Sequence, residues 1–288
     1  MTNHLDAQHL RYQVGKATLV RDISLQVTGG EILAIIGPNG AGKTTLLKLL
    51  AGDLHAQSGQ VSLNNQPLHH HKPLELARQR AVMPQQASVS LDFTTYEVAL
   101  MGRHPHIRGS ETREDHRIVE EALHRTETLH LREQMYATLS GGEKARVTLA
   151  RVLAQQTPIL LLDEPTSTLD LRHQHMTMQI MRERAKTGVA VVAVLHDLNL
   201  AAMYADRIGM IHNGQLEFIG TPEEVLTADH IHTVFGLAVE VLAHPTHHCP
   251  LIVPLATNGH SATLSEIGAS AGRILLADQR VTSAPHPG

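Results

Sequence analysis

Apolar and polar positions along this chain fall into two textures. Continuous apolar runs at Ile32–Ile36, Ile159–Leu162 and Val189–Leu195 read as strands buried on both faces, and they alternate with helical patterns. That combination predicts an α/β fold around a largely parallel sheet covered by helices. Elsewhere the period is two. Residues 8–27, notably Ile23, Leu25 and Val27, alternate as a half-exposed antiparallel strand does. Gln60–Leu63 predicts another strand, Asn64-Asn65 a turn and Leu74–Arg80 a helix. Ala81–Pro84 reads as a short strand that hands Gln85 and Gln86 to a polar loop. From Thr95 to Glu133 the pattern is helical, broken near Pro105 and Gly109, so a helical insertion separates two sheet-forming halves. A further helix is expected over Gly141–Gln155. Asn213-Gly214, between Ile208–Ile211 and Leu216–Ile219, is a hairpin signal. Thr221, Pro222 and Glu224 have the spacing of an N-cap, a first helical residue and a capping-box acid. Past Gly236 the pattern weakens to strands at Val239–Leu242 and Leu251–Leu255, and from about Asn258 it becomes the small, polar composition of a disordered tail.

Composition narrows this picture. The 288 residues are 42% hydrophobic but include no Trp, four Tyr and three Phe, so the core must rest on aliphatic side chains. A formal charge of −4 supplies no electrostatic reason for binding nucleic acid, and no such partner is expected. The single cysteine, Cys249, leaves no intrachain disulfide and fits a reducing compartment. Met1–Asp6 lacks the basic and apolar regions of a signal peptide, and no apolar run approaches the ~18–20 residues that span a bilayer. The expectation is a soluble, cytoplasmic chain.

Candidate chemistry begins where the first buried strand ends. Gly37-Pro38-Asn39-Gly40-Ala41-Gly42-Lys43-Thr44-Thr45 has the P-loop spacing between that strand and a helical run. Glycines let successive N–H groups turn inward around phosphate oxygens, and the helix start adds partial positive charge. Lys43 can then reach terminal phosphates and the Thr44 hydroxyl can ligate Mg²⁺. A second group sits at the carboxyl end of Ile159–Leu162, where α/β sheets bind ligands. There Asp163 suits Mg²⁺ and Glu164 suits polarisation of an attacking water, a role worth roughly 10²–10⁴ in rate. A third is Leu139-Ser140-Gly141-Gly142-Glu143, in which Ser140 fits an N-cap and Glu143 the acid three residues on, with two bare glycines between. That is a second anion-binding helix start.

The order P-loop, Gln85, Ser140–Glu143, Asp163-Glu164, Ser167-Thr168-Leu169-Asp170 and His196 resembles that of ATP-binding-cassette (ABC) ATPases, over about residues 8–235. The resemblance implies an α/β P-loop NTPase with a mixed sheet core, an antiparallel β subdomain and a helical subdomain. It also implies a head-to-tail homodimer holding two ATP molecules. Each ATP lies between Gly37–Thr45 of one copy and Ser140–Gly142 of the other. Thr44 and Asp163 hold Mg²⁺ with Gln85 sensing that site, Glu164 is the general base, His196 contacts the γ-phosphate and Asp170 reaches across the interface. Family members stack adenine on an aromatic residue of the first strand. Alignment puts Val14 there, and Tyr12, two residues earlier on the same strand face, is the candidate.

The insertion between Gln85 and Ser140 is where such ATPases grip their membrane subunits. Phe93–Val98 and Met101–His106 resemble the segment found in importers of iron–siderophores, heme and vitamin B12, and over the whole chain the likeness is strongest to hemin-import subunits. The expected partners are two membrane permeases and, indirectly, a periplasmic or surface substrate-binding protein, at the cytoplasmic face of the membrane. A ferric-siderophore or vitamin B12 importer is the alternative cargo reading, and a non-transport ABC ATPase the alternative class. Chromosome-maintenance ATPases split their halves with a long coiled coil, and no heptad run separates Lys43 from Leu139. Residues 1–243 are expected to form the ATPase domain, with its helical subdomain at about 86–155, and 244–288 a C-terminal extension. His69-His70-His71 reads as a solvated loop, and His244, His247, His248 and Cys249 match no closed zinc-site spacing.

Overall fold

A computed structural model describes residues 3–85 and 92–256. Gln86 and the tail expected from about Asn258 lie outside them. In chain order the elements are β1 (His4–Val14), β2 (Ala17–Thr28), β3 (Ile32–Ile36), α1 (Lys43–Ala51), β4 (Ser58–Leu63), β5 (Gln66–Pro67), α2 (Pro73–Gln79) and β6 (Arg80–Met83). The insertion follows with α3 (Thr95–Leu100) and α4 (Arg113–Arg125), and then α5 (Gly141–Ala154). The second half contains β7 (Ile159–Asp163), α6 (Leu171–Lys186), β8 (Ala190–Val194), α7 (Leu198–Tyr204), β9 (Arg207–His212), β10 (Gln215–Gly220), α8 (Pro222–Val225), α9 (Ala228–Phe235), β11 (Val239–Ala243) and β12 (Pro250–Pro254).

The two textures separate into two sheets. β6, β7, β8, β3 and β9 are parallel neighbours and β10 closes one edge antiparallel, which makes the core sheet mixed. All five residues of β3, of β7 and of β8 are buried, as uninterrupted aliphatic runs require. The period-two stretch is two strands rather than one. Gly15, at φ 58°, turns the chain so that β1 and β2 pair, and β4 and β5 extend that antiparallel sheet. Leu10, Val20, Ile23 and Val27 then face a shared aliphatic cluster with Leu46, Leu49 and Leu50 of α1.

The helical insertion is held by a charge as well as by apolar contacts. Arg103 is buried, donates from Nε to Asp115 at 2.9 Å and from Nη1 to the Ala154 carbonyl at 2.8 Å. Asp115 in turn caps α4 through Thr112, and these bonds hold its carboxyl down at about 2. The Met101–His106 segment is therefore sewn onto the C-terminal end of α5, where His106 Nε2 also meets the Gln155 carbonyl at 2.8 Å.

Near the C-terminus, β11 and β12 form a two-stranded sheet that crosses the boundary drawn after residue 243. Cys249 and Ile252 join the main core, and the Asn199 side chain bonds both backbone groups of Ile252. The first compact unit accordingly extends to Val253. His244 serves that hairpin: its Nδ1 accepts from the N–H groups of Thr246 and His247 at 3.2 and 3.1 Å.

Candidate functional site

The loop after β3 can only be built with glycine at its ends. A Cβ on Gly37 (φ 150°) would lie 2.1 Å from the Ile211 carbonyl oxygen, and one on Gly42 (φ 103°) would lie 2.2 Å from that of Leu19. Gly42 is also the N-cap of α1 and has no side chain to offer, so the first-turn N–H groups stay bare. Asn39 and Gly40 are exposed at the tip of the loop, Ala41 is buried and Thr45 half-buried. Lys43 opens α1 at 6% exposure, and its Nζ donates to the carbonyls of Gly37 at 2.7 Å and Pro38 at 2.9 Å. Burial pulls the Lys43 pKa down, and the charges of Glu164 and Asp163 oppose the shift. The result is a helix start with uncapped N–H groups and a lysine that satisfies itself on carbonyls of its own loop.

Facing it is the carboxyl end of β7. Asp163 is 4% exposed and accepts from the Thr44 hydroxyl at 3.2 Å. Burial pushes the Asp163 carboxyl up despite that bond. Glu164 has φ 53°, a left-handed conformation that costs a residue with a Cβ about 1 kcal/mol or more. This turn takes its carboxylate past the end of β8. One oxygen accepts from Gln85 Nε2 at 2.8 Å, and the other lies 2.6 Å from His196 Nε2. Gln85, Glu164 and His196 are thus brought together from three separate loops. Gln85 lines both the cleft beside Thr44, Lys48 and Asp163 and the cleft beside Gly141, Lys144 and Thr168.

The second glycine-rich helix start stands apart. Ser140 caps α5, and Glu143 Oε2 accepts from both its N–H (2.8 Å) and its hydroxyl (2.7 Å). Those bonds hold the Glu143 carboxyl below its ordinary value. Among the described residues no hydrogen bond joins Ser140–Gly142 to Gly37–Thr45, and Gly141 and Gly142 lie instead against Thr168. Asp170 caps α6 by accepting from the His173 N–H at 2.9 Å. Tyr12 is half-buried against the cluster behind α1, whereas Val14 on the same strand is 55% exposed.

One supporting residue escaped the sequence reading. Asp197 accepts from the N–H groups of Asn199 and Leu200 and so fixes the loop that presents His196. An Asp directly before a helical run is the N-cap signal that could have found it. Among the described residues no group of three or more His, Cys, Asp or Glu side chains is placed to hold a metal ion, so the histidines at 69–71 and 244–248 form no such cluster.

Residues 20–167 match the ABC transporter family. The hemin import ATP-binding protein of Gloeobacter violaceus is 49% identical over 83% of this chain and 90% of its own length. That of Thermobifida fusca is 47% identical over 87% and 88%, and that of Pseudomonas entomophila 46% over 86% and 99%. Among solved structures, a metal-chelate type ABC transporter in an inward-facing conformation has a TM-score of 0.77 at 24% identity, covering 90% of this chain and 100% of that one. At that identity the likeness is one of fold. A dimeric bacterial ABC transporter cassette has a TM-score of 0.69 at 28% identity over 75% and 98%.

Proposed function

This chain belongs to the ABC transporter family, and on that premise we propose that it powers hemin uptake as one of two ATPase subunits seated on two membrane permeases. It is an ATP-hydrolysing importer subunit. Hemin rests on one observation: relatives named for hemin import run from 43% to 49% identity over most of this chain. No helix of the described residues is long and apolar enough to cross a membrane, and on this reading the chain attaches to the cytoplasmic face through the permeases. A substrate-binding protein on the far side hands over the cargo, so this chain need not touch it.

The site residues divide the work. Gly37–Thr45 cradle the triphosphate, and Lys43 exchanges its two carbonyl partners for phosphate oxygens. The Thr44 hydroxyl and the Asp163 carboxylate are hard oxygen donors 3.2 Å apart, a pair that fits Mg²⁺. Mg²⁺ supplies charge neutralisation on the phosphate oxygens when bound. Glu164 is the general base; one of its oxygens accepts from Gln85 Nε2 and the other lies 2.6 Å from His196 Nε2. One partner on each oxygen leaves further lone pairs of the carboxylate open to the attacking water. We assign Gln85 to the Mg²⁺ and water side of that group and His196 to the γ-phosphate. Ser140–Gly142 of a second copy close over the phosphates and Asp170 reaches across the same seam; the dimeric state of the similar cassette supports the two-copy arrangement. Tyr12 provides the adenine platform.

The test is reconstitution of the chain with its permeases in vesicles, with ATP hydrolysis followed as hemin, a ferric siderophore or cobalamin is supplied through the cognate binding protein. Stimulation by hemin is the expected result. Stimulation confined to either other cargo would replace hemin and leave the ATPase reading intact.

A further inference from the structure

Ser140 heads α5 and Asp170 heads α6, and the corner that follows α4 ties the two helices together. Asp170 is exposed, yet its carboxylate is held in place. Besides the His173 N–H, the ring Nδ1 of His173 lies 2.8 and 2.9 Å from its two oxygens. An ionised carboxylate only accepts, so Nδ1 carries the proton, and Nε2 of the neutral ring is the acceptor. That Nε2 lies 3.2 Å from Arg172 Nη1, which is a donor. Arg172 in turn donates from both Nη atoms to the two oxygens of Glu127, each at 2.6 Å. The bond directions agree along the whole row: Arg172 donates to Glu127 and to His173, and His173 donates to Asp170. Glu127 stands at the corner after α4 with φ 54°, and Arg146 of α5 donates to the carbonyls of Thr126 and Glu127 at 3.3 and 2.9 Å. The buried hydroxyls of Thr126 and Thr128, 2.9 Å apart, brace the same corner. Glu127 is thus bonded to α5 through its backbone and to α6 through its side chain. An exposed ion pair of ordinary geometry contributes little, but a two-pronged arginine–carboxylate fork fixes orientation as well as charge.

We propose that Glu127 is a positioning residue for the seam between two copies: its carboxylate orients Arg172 and, through His173, Asp170, while its backbone fastens that row to the helix headed by Ser140. Asp170 and Ser140–Gly142 are then presented to the second copy as one preset surface. This rests on the reading that places both at the seam. Glu127 touches neither nucleotide nor water there, so its effect falls on pairing of the copies and not on the affinity of a single chain for ATP.

The test uses the full chain carrying Glu164→Gln and follows dimer formation against protein concentration at saturating ATP, with ATP affinity measured separately on dilute single chains. Glu127→Ala and Arg172→Ala should each weaken the dimer about three- to tenfold and leave single-chain ATP affinity unchanged. Because both remove the same fork, the double variant should be no weaker than either single one. Arg172→Lys, which keeps the charge and cannot form the fork, should share the loss. Circular dichroism establishes that each variant is folded, and Arg172→Lys decides the matter if the alanine variants are not. Asp170→Ala should weaken the dimer at least as much. A corner that serves stability alone would lower the melting temperature and leave dimer formation unchanged in the folded variants. That result, or losses that add in the double variant, overturns the proposal, and the seam reading survives it if Asp170→Ala still weakens the dimer. Absence of an ATP-dependent dimer, or no effect of Asp170→Ala, overturns the seam reading and this proposal with it.

Discussion

Two helices of this protein begin on glycine-rich turns, and they begin differently. α1 starts at Gly42 with no side-chain cap and a buried lysine as its first residue. α5 starts at Ser140, whose N–H and hydroxyl are both taken by Glu143. Each helix end carries the same partial positive charge from its peptide dipoles. In α1 that charge is reinforced by Lys43, whereas in α5 a carboxylate already answers it. The N–H groups of Gly141 and Gly142 are the ones that a capping box leaves over. On the proposed reading phosphate recognition is therefore lopsided: the strong half is complete within one chain, and the weak half gains value only against an anion that something else has fixed. A surface that recognises phosphate only when it is already held suits the closing half of a two-copy clamp.

The largest expected effect separates the two halves by chemistry. Glu164→Gln should leave ATP binding in place while turnover falls roughly 10²–10⁴-fold, and the closed dimer should accumulate on size exclusion with ATP. Rapid steady-state hydrolysis by this variant would remove Glu164 from its role. Lys43→Ala should weaken ATP about 10–100-fold in equilibrium binding, because charge-assisted bonds to phosphate are lost. Unaltered affinity would contradict the assignment of the strong half.

Asp163 tests the balance between stability and function on the strong side. Its carboxyl is pushed up from 3.8 by burial, so the folded chain holds that proton more tightly than the unfolded one. Stability therefore falls as pH rises from about 3.8 through the raised value, and stays lower above it. Asp163→Asn, which can still accept from Thr44, should raise the melting temperature of the ligand-free protein by about 2–4 °C at neutral pH and very little near pH 3. The further rise that Mg·ATP gives the wild type should disappear.

The smallest effect belongs to the weak half. Ser140→Ala removes a cap worth about 1 kcal/mol and should lower the melting temperature by about 2–4 °C. ATP affinity of the single chain should be unchanged, and only hydrolysis should fall. Glu143 is held below its ordinary 4.5 by the Ser140 bonds, so the stability of this cap is present above that pH and lost as pH falls through the lowered value. The difference between wild type and Ser140→Ala should shrink accordingly in acid. A deficit in ATP binding as large as that of Lys43→Ala would erase the contrast between the two helix starts.

Local rules carried the reading wherever structure is local. The buried strands Ile32–Ile36 and Ile159–Asp163 follow from uninterrupted aliphatic runs, and the capping boxes at Ser140 and Thr221 from side chains three residues apart. The left-handed turn at Glu164 was not legible, because nothing in Asp163-Glu164-Pro165 announces that its carboxylate will meet groups 79 residues upstream and on the loop after β8. Arg103 was part of a noted segment, yet its burial against Asp115 and the Ala154 carbonyl depends on where α4 and α5 pack. The hairpin from Val239 to Pro254 joined the main core through Asn199, a contact between segments far apart in the chain.

By itself the sequence determined the spacing of glycine, lysine, serine and acid that makes two helix starts able to face phosphate, since those demands are met within a few residues of backbone. Tertiary structure alone decided how the side chains meet: Gln85 and His196 on Glu164, and Thr44 on Asp163. The physical reason is that bond geometry and capping act over a turn of chain, whereas those encounters are set by the sheet order that lays β6, β7, β8 and β3 side by side.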